Sequence, residues 1–354
     1  MHREDRLSHP GRTDAVNPVL VNRYAGTDPF IHGADDKKEQ VQMQTKIKRI
    51  MDKLFYHESW DIMLIKDNGT HSFPDNTLEI LSKSTAQQLK KKYTFQADPF
   101  LIEKDDKLYV FYEALSFRNS KGTLRCRVLD RELVELEDIR LEGFDDLKCH
   151  LSFPYLIHIN DQLFMIPESS ERKEVILFQS IEFPARWKQV KVLISDTELT
   201  DNVFISVNET CYLLSTTMDN EIIIHSADHI YGQWQRITPS LKVSNPHHRG
   251  AGASYQVENK MYFLTQECTP ETYGKSIYIK ELVTLNDANF AETLIEQINS
   301  SINHSDGVHT LNFSNNYIVY DTKVNKFSLL AIFKKIAYKC MIKYRNTYLT
   351  RQNN

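Results

Sequence analysis

Residues 98–113 read Asp-Pro-Phe-Leu-Ile-Glu-Lys-Asp-Asp-Lys-Leu-Tyr-Val-Phe-Tyr-Glu. An apolar run (Phe100, Leu101, Ile102) meets a charged turn, Lys104-Asp105-Asp106, and a second run from Leu108 to Tyr112. That pattern is a β-hairpin. The same phrase returns four times. Residues 153–157 (Phe-Pro-Tyr-Leu-Ile) precede 162–168 (Gln-Leu-Phe-Met-Ile-Pro-Glu), and 202–206 (Asn-Val-Phe-Ile-Ser) precede 210–216 (Thr-Cys-Tyr-Leu-Leu-Ser-Thr). Residues 253–257 (Ala-Ser-Tyr-Gln-Val) precede 260–267 (Lys-Met-Tyr-Phe-Leu-Thr-Gln-Glu), and 308–313 (Val-His-Thr-Leu-Asn-Phe) precede 317–321 (Tyr-Ile-Val-Tyr-Asp). Each pair is joined by a polar turn: Asn160-Asp161, Asn208-Glu209, Glu258-Asn259 and Asn315-Asn316.

The interval is about fifty residues, and further strand-like stretches follow the hairpins at 123–129, 174–179 with 189–194, 221–225 with 234–237, and 276–282. About four short strands per unit, five times over, predicts an all-β chain: a five-bladed β-propeller across residues 59–322. A β-sandwich would also supply short strands, but not one two-strand phrase at a constant interval. Residues 60–65 (Trp-Asp-Ile-Met-Leu-Ile) are a candidate outer strand closing the ring with the last blade.

The flanks read differently. Residues 1–40 are polar and without periodicity, which predicts a mobile arm. Its Asp28-Pro29-Phe30 imitates the first blade's opening but is followed by no hairpin, and reads as a decoy. Residues 41–58 place Ile47, Ile50, Met51, Leu54 and Phe55 three and four apart, predicting an N-terminal helix packed on the body. Residues 323–354 hold eight basic residues and no Asp or Glu, among Phe327, Leu330, Ile332, Phe333 and Ile336. They predict a basic amphipathic C-terminal helix and tail, suited to an anionic membrane surface or an acidic partner. A last helix docked on the propeller edge with its lysines solvated fits the same pattern.

The 354-residue chain carries 43 basic and 47 acidic side chains, a formal charge of −4, so it lacks the basic surplus of a nucleic-acid binder. A hydrophobic content of 41 % excludes a disordered chain. No apolar run approaches the ~20 residues that cross a bilayer, and the polar opening Met1-His2-Arg3-Glu4-Asp5 has no signal-peptide character. Five scattered cysteines (Cys126, Cys149, Cys211, Cys268, Cys340) suit reduced thiols rather than a zinc site or a disulfide framework. A cytoplasmic, membrane-associated protein is the expectation.

In a propeller the first strand of each blade lines the axis, so the blade starts share one funnel. Here they are Asp98; His150-Leu151-Ser152; Asp201-Asn202; Arg249-Gly250-Ala251-Gly252; and Asp306-Gly307-Val308-His309. Every one carries an ionisable group.

The order of these phrases resembles a known family. Gln96-Ala97-Asp98-Pro99-Phe100, Phe111-Tyr112-Glu113, His150-Leu151-Ser152-Phe153-Pro154, Ile166-Pro167-Glu168-Ser169, Phe183-Pro184-x-x-Trp187, Gly232-x-Trp234, Arg249-Gly250-Ala251-Gly252, Gln266-Glu267-Cys268, Tyr273-Gly274 and Ser305-Asp306-Gly307-Val308-His309-Thr310 follow one another as in the N-terminal domain of plant glucosamine inositolphosphorylceramide transferases and its free-standing bacterial relatives. That domain is similar to the propellers of the arabinanase, levansucrase and invertase superfamily. The resemblance implies carbohydrate chemistry or recognition in surface-glycan assembly. The plant protein's recognised sugar-transferase domain lies elsewhere in its chain, and no counterpart is found in this sequence.

Sugar cleavage or transfer through an oxocarbenium-like transition state needs two carboxyl groups about the anomeric carbon, one of them protonated. Asp98 matches the superfamily's base or nucleophile. The superfamily repeats Asp-Pro in blade two, where this chain has His150-Leu-Ser-Phe-Pro154. The acid is sought among Glu168, at the end of an apolar strand; Asp201, at the third blade start; and Glu267, whose Glu-Cys pair is similar to the invertase acid but falls in the fourth repeat. Asp98, Glu168 and Asp201 are therefore the candidate catalytic residues. His150, Arg249, Gln266, Glu267, Asp306 and His309 are the candidate substrate-binding residues, Arg249 because a guanidinium among small residues suits an anionic sugar, a sugar phosphate or a nucleotide sugar; a membrane-surface location of the C-terminal segment would fit a lipid-linked one. The substrate expected is a sugar or glycan, with no cofactor and no metal. Trp187 and Trp234 are expected in outer-blade packing.

Overall fold

The computed structural model describes residues 54–330 except 68, 116–120, 270–272, 301 and 303–304, together with Met43, Ile332, Phe333 and Ile336. Contacts divide the chain into Met1–Met51 and Asp52–Asn354. Only Met43 of the first unit is described, so the fold below is that of the second. The arm expected over 1–40 lies outside the described residues.

Twenty-two strands make five blades among the described residues. The chain enters with β1 (Tyr56–Lys66), a short helix α1 (Thr77–Lys83) and β2 (Gln87–Gln88). Blade one follows as β3 (Phe95–Lys104), β4 (Lys107–Leu115), β5 (Thr123–Asp130) and β6 (Glu135–Arg140). Blade two is β7 (Ser152–Ile159), β8 (Gln162–Glu168), β9 (Val175–Glu182) and β10 (Arg186–Ile194); blade three is β11 (Thr200–Val207), β12 (Thr210–Thr216), β13 (Ile222–Ala227) and β14 (Gln235–Ile237). Blade four comprises β15 (Ser240–Lys242), β16 (Arg249–Gly250), β17 (Tyr255–Val257), β18 (Lys260–Cys268), β19 (Tyr273–Leu285) and β20 (Asn289–Asn299). Blade five begins with β21 (Leu311–Phe313) and β22 (Tyr317–Phe327), and is completed by β1 and β2 from the other end of the chain.

The turns that the sequence marks are the turns that form. β3–β4 closes at Lys104↔Lys107, β7–β8 at Ile159↔Gln162, β11–β12 at Val207↔Thr210 and β17–β18 at Val257↔Lys260. In the first three both central residues have positive φ, as in Asp105 (49°) and Asp106 (59°), the geometry that matches the twist of a two-residue hairpin. Side chains alternate about each strand, and because both faces of a blade meet a neighbouring blade, the second strands read as nearly continuous apolar runs. Val110, Phe111 and Tyr112 in β4 are all fully buried, as are Met165 and Ile166 in β8. Trp187 is buried against Phe111 with its Nε1 donating to Pro184 O at 2.9 Å, and Trp234 donates to Ile230 O, so both lie in blade packing.

The ring closes through the chain ends. β1 runs antiparallel to β22 from Tyr56↔Phe327 to Lys66↔Tyr317, and one parallel bridge, Trp60↔Phe95, joins it to blade one. This pairing corrects the two expected boundaries. Residues 56–58 and 323–327 are strand, not helix, because their backbone groups complete one another's ladder. Phe327 then rests against Phe55 and Tyr56, with ring centroids 6.0 and 5.6 Å apart. Met43, Leu54, Phe55 and, beyond β22, Ile332, Phe333 and Ile336 are helical; Ser328, Leu329 and Leu330, within the expected C-terminal helix, are not, and the remaining positions of both expected helices lie outside the described residues. Blade four departs from the hairpin phrase as well: its inner strand is split into β16 and β17, both paired to β18. Gly252 in the gap has φ 153°, and a Cβ there would meet Leu311 O at 2.2 Å, so blades four and five approach too closely for any side chain.

Candidate functional site

The inner strands of blades one, two and three share one local distortion. Their registers slip between Ala97 and Phe100, Ser152 and Tyr155, and Thr200 and Val203. The bulged residues Asp98, Phe153 and Asp201 have φ of 52°, 44° and 43°. A bulge re-aims a side chain, and Asp tolerates the left-handed region better than most residues. Phe does not, so Phe153 is a strained position. Its N–H donates to Asp98 Oδ2 at 3.1 Å, which ties the strain to the first bulge.

Opposite each bulge the second strand supplies a partner. Glu113 faces Ala97, Glu168 faces Ser152, Thr216 faces Thr200 and Gln266 faces Arg249; in blade five the Asp321 N–H donates to Thr310 O. Five carboxyls, Asp98, Glu113, Glu168, Asp201 and Asp321, thus collect in one buried cluster.

Asp98 accepts the Thr310 hydroxyl at Oδ1 (2.9 Å), and His309 Nε2 stands 3.6 Å from the same oxygen. Burial pushes its proton affinity up, the His309 charge opposes this, and Asp201 and Asp321 reinforce it; the outcome is about 6. Asp201 is pushed up to about 7 by burial against the pull of Arg249, with Glu168 adding to the rise. Its Oδ2 accepts Arg249 Nε at 2.5 Å and Gln266 Nε2 at 3.4 Å. Glu168 accepts the Asp201 N–H at 3.1 Å and the Ser170 hydroxyl at 2.9 Å, with Arg249 Nη2 at 3.7 Å. Arg249 also lies over the Tyr273 ring, 5.4 Å from its centroid. Glu113 is held well above the carboxylate range by burial and by Asp98, Glu168, Asp201 and Asp321. His150 Nε2 is 3.2 Å from Glu113 Oε1.

His309 Nδ1 meets Asp321 Oδ2 at 2.6 Å, and its ring stacks on Trp60 at 3.9 Å. Burial works against the imidazolium, but Asp321 and Asp98 outweigh it and raise its affinity for the proton. Asp98, His309 and Asp321 bring one ligand atom each within 4.8 Å of one another, the one such trio among the described residues. Their atoms already take N–H and O–H donors: Asp321 accepts the N–H groups of Asp98, His309 and Thr310, each at 3.0 Å. Both carboxylates of the trio are thus held by hydrogen-bond donors, and the His309 ring lies between them.

Asp98, Glu168, Asp201, Arg249, Gln266 and His309 therefore converge, with His150 at the rim through Glu113. Two expected residues do not join them. Glu267 turns to the other side of β18 from Gln266, as strand alternation requires, and accepts the Tyr278 hydroxyl at 3.1 Å. Asp306 is exposed and accepts the Asn325 N–H at 3.0 Å, closing the loop into blade five. Conversely, Glu113, Asp321 and Tyr273 belong to the site without having been singled out. The residue that ends each repeated hairpin was the available signal for the first two; for Tyr273 it was its place in the phrase Tyr273-Gly274.

The family model described as "Glucosamine inositolphosphorylceramide transferase 1, N-terminal" matches residues 57–324. The chain belongs to this family. Glucosamine inositolphosphorylceramide transferase 1 of Arabidopsis thaliana is 27 % identical over 215 residues, covering 56 % of this chain and 27 % of that protein. The protein of the same name from Oryza sativa subsp. indica is 25 % identical over 239 residues, covering 64 % and 31 %. This member of the family thus spans about three tenths of the length of those relatives. Among solved structures, an α-L-arabinofuranosidase from Podospora anserina in complex with cellotriose is similar at 11 % identity and TM-score 0.46, covering 61 % of this chain and 75 % of that one. An endo-arabinanase from Bacillus licheniformis is similar at 12 % and 0.46, covering 67 % and 95 %.

Proposed function

We infer that the funnel handles a sugar, in transfer or processing during cell-surface glycan biosynthesis, with Asp98 as base or nucleophile and Glu168 and Asp201 beside it. The observation that carries this reading is the presence of two buried carboxyls at one axis, at about 6 and about 7, among five acids and few cations. Asp98 and Asp201 therefore exchange protons near neutral pH, which acid–base chemistry on a sugar requires. The names of the curated relatives support a sugar as the group handled. Asp98→Asn is expected to abolish glycan formation in cells while leaving the fold intact by circular dichroism. Unchanged glycan structure would sink the assignment.

A second reading, a non-catalytic glycan-recognition module assisting a separate glycosyltransferase, is favoured by Phe153, an apolar residue at the bulge where blades one and three place aspartates. Glycan binding that survives Asp98→Asn, with no turnover by wild type, would select it. The exposed Phe327, Leu329, Leu330, Phe333 and Ile336, in a segment with eight basic residues, support contact with an anionic membrane that would present a lipid-linked substrate. Co-sedimentation with phosphatidylglycerol vesicles but not with phosphatidylcholine vesicles is the expected result.

A further inference from the structure

Glu113 pairs with Ala97 across blade one, beside the bulge that carries Asp98. His150 Nδ1 accepts the Gly122 N–H at 2.9 Å. A ring nitrogen that accepts carries no proton, so the proton of the neutral imidazole is on Nε2, 3.2 Å from Glu113 Oε1. Gly122 is needed for this approach, since a Cβ there would stand 2.5 Å from both Glu113 Oε1 and Leu151 O. The His150 N–H orients the carboxyl and by itself favours ionisation, but burial and four acidic neighbours, Asp98 on β3, Glu168 on β8, Asp201 on β11 and Asp321 on β22, outweigh it and favour the proton. Glu168, in the same cluster, has different partners. Its contacts are the Asp201 N–H, the Ser170 hydroxyl and the Arg249 guanidinium. The two glutamates are therefore not interchangeable: burial and acidic neighbours hold a proton on Glu113, while Glu168 is tied to Arg249 and to the Asp201 backbone.

We propose that Glu113, positioned by His150, is the proton donor of this site, and that the sugar donor it serves is a glycoside with an alkoxide leaving group. The proposal rests on the reading of the funnel as a sugar-handling site. In the step, the Glu113 O–H bond breaks as a new O–H bond forms on the leaving oxygen, which keeps the electron pair of the broken anomeric C–O bond. An incoming hydroxyl forms the new C–O bond and gives its proton to the Asp98 carboxylate; proton return through solvent resets both groups. A phosphate leaving group, already a stable anion, would need no such donor, which is why the arrangement selects a glycoside over a sugar phosphate.

The full chain is tested in two ways. Infrared difference spectra of wild type against Glu113→Gln at pH 7 should show one protonated carboxylic acid lost; an ionised Glu113 overturns the proposal. Methyl and 2,4-dinitrophenyl glycosides of glucosamine, glucose, galactose and arabinose are then assayed. Glu113→Gln is expected to lower turnover of the methyl glycosides by about 10²–10⁴-fold and to spare the dinitrophenyl ones, whose leaving group needs no proton. His150→Gln, which keeps an N–H donor, should lose less than His150→Ala. Equal loss on both leaving groups, no loss, or no wild-type turnover of any of these glycosides overturns the donor role. Turnover that depends on Asp98 but not on Glu113 removes this proposal alone, whereas turnover indifferent to Asp98→Asn removes the reading of the funnel.

Discussion

Asp321, on the second strand of blade five, accepts the backbone N–H of Asp98, on the first strand of blade one, at 3.0 Å. Asp98 in turn accepts the N–H of Phe153 in blade two at 3.1 Å. Carboxylates thus link neighbouring blades at the axis, on the side of the ring where the β1–β22 ladder joins the chain ends.

Asp321→Ala leaves the N–H groups of Asp98, His309 and Thr310 without their acceptor in a buried site and deprives the His309 ring of its counter-charge. A loss of about 3–5 kcal/mol is expected, because removing one side of a buried pair strands the other. Urea denaturation measures it; Asp321→Asn, which keeps one acceptor, should lose less. A cost below about 1 kcal/mol would mean that these bonds do not support the ring.

Arg249→Met should destabilise the fold strongly at pH 8, where Asp201 and Glu168 would lie uncompensated, by about 3–5 kcal/mol. At pH 5 the cost should shrink, because Asp201, already at about 7 with Arg249 present, can take up a proton instead. Melting temperatures at the two pH values decide this; equal losses would contradict it. Arg249→Lys is not expected to rescue, since an ammonium cannot serve both carboxylates and the Tyr273 face with one rigid fork.

The same carboxyls set a pH dependence of stability. Asp98 and Asp201 hold protons more tightly in the folded chain, at about 6 and about 7, than their ordinary 3.8. Their contribution is therefore full below about pH 4 and is lost as pH rises through 6 and 7, when buried groups must ionise. His309, also raised, acts in the same direction. The melting temperature of wild type minus that of Asp201→Asn should fall steadily from pH 4 to pH 8. A flat difference would mean that Asp201 is ionised throughout.

Lys280 and Glu292, both fully buried, meet at 2.9 Å in blade four, and Lys280 Nζ also donates to His247 O at 2.6 Å and Asn245 O at 3.2 Å. Burial pushes Lys280 down and Glu292 up. The ammonium clamps the loop that leads into Arg249. Lys280→Met alone should cost about 3–5 kcal/mol, whereas Lys280→Met with Glu292→Leu should recover most of it, as expected when a buried pair is replaced by apolar groups. A double variant as unstable as the single one would show that the loop, not the charge, carries the effect.

Local pattern determined much of this protein. Each hairpin is specified within about sixteen residues by two apolar runs and a turn such as Asp105-Asp106, because turn chemistry and alternation act over neighbouring residues. Repetition of that phrase then fixed the blade number, and the inner-strand starts at Asp98, Asp201, Arg249 and His309 named much of the site. The tertiary structure decided what depends on partners distant in sequence. Whether residues 323–327 form helix or strand was settled by β1, more than two hundred residues away. Gln266 was sorted from Glu267 by the face of β18 that each occupies. The sequence supplies the carboxyls. Which of them keeps a proton depends on burial and the charges packed beside it, and those arise only when the five blades close on one axis.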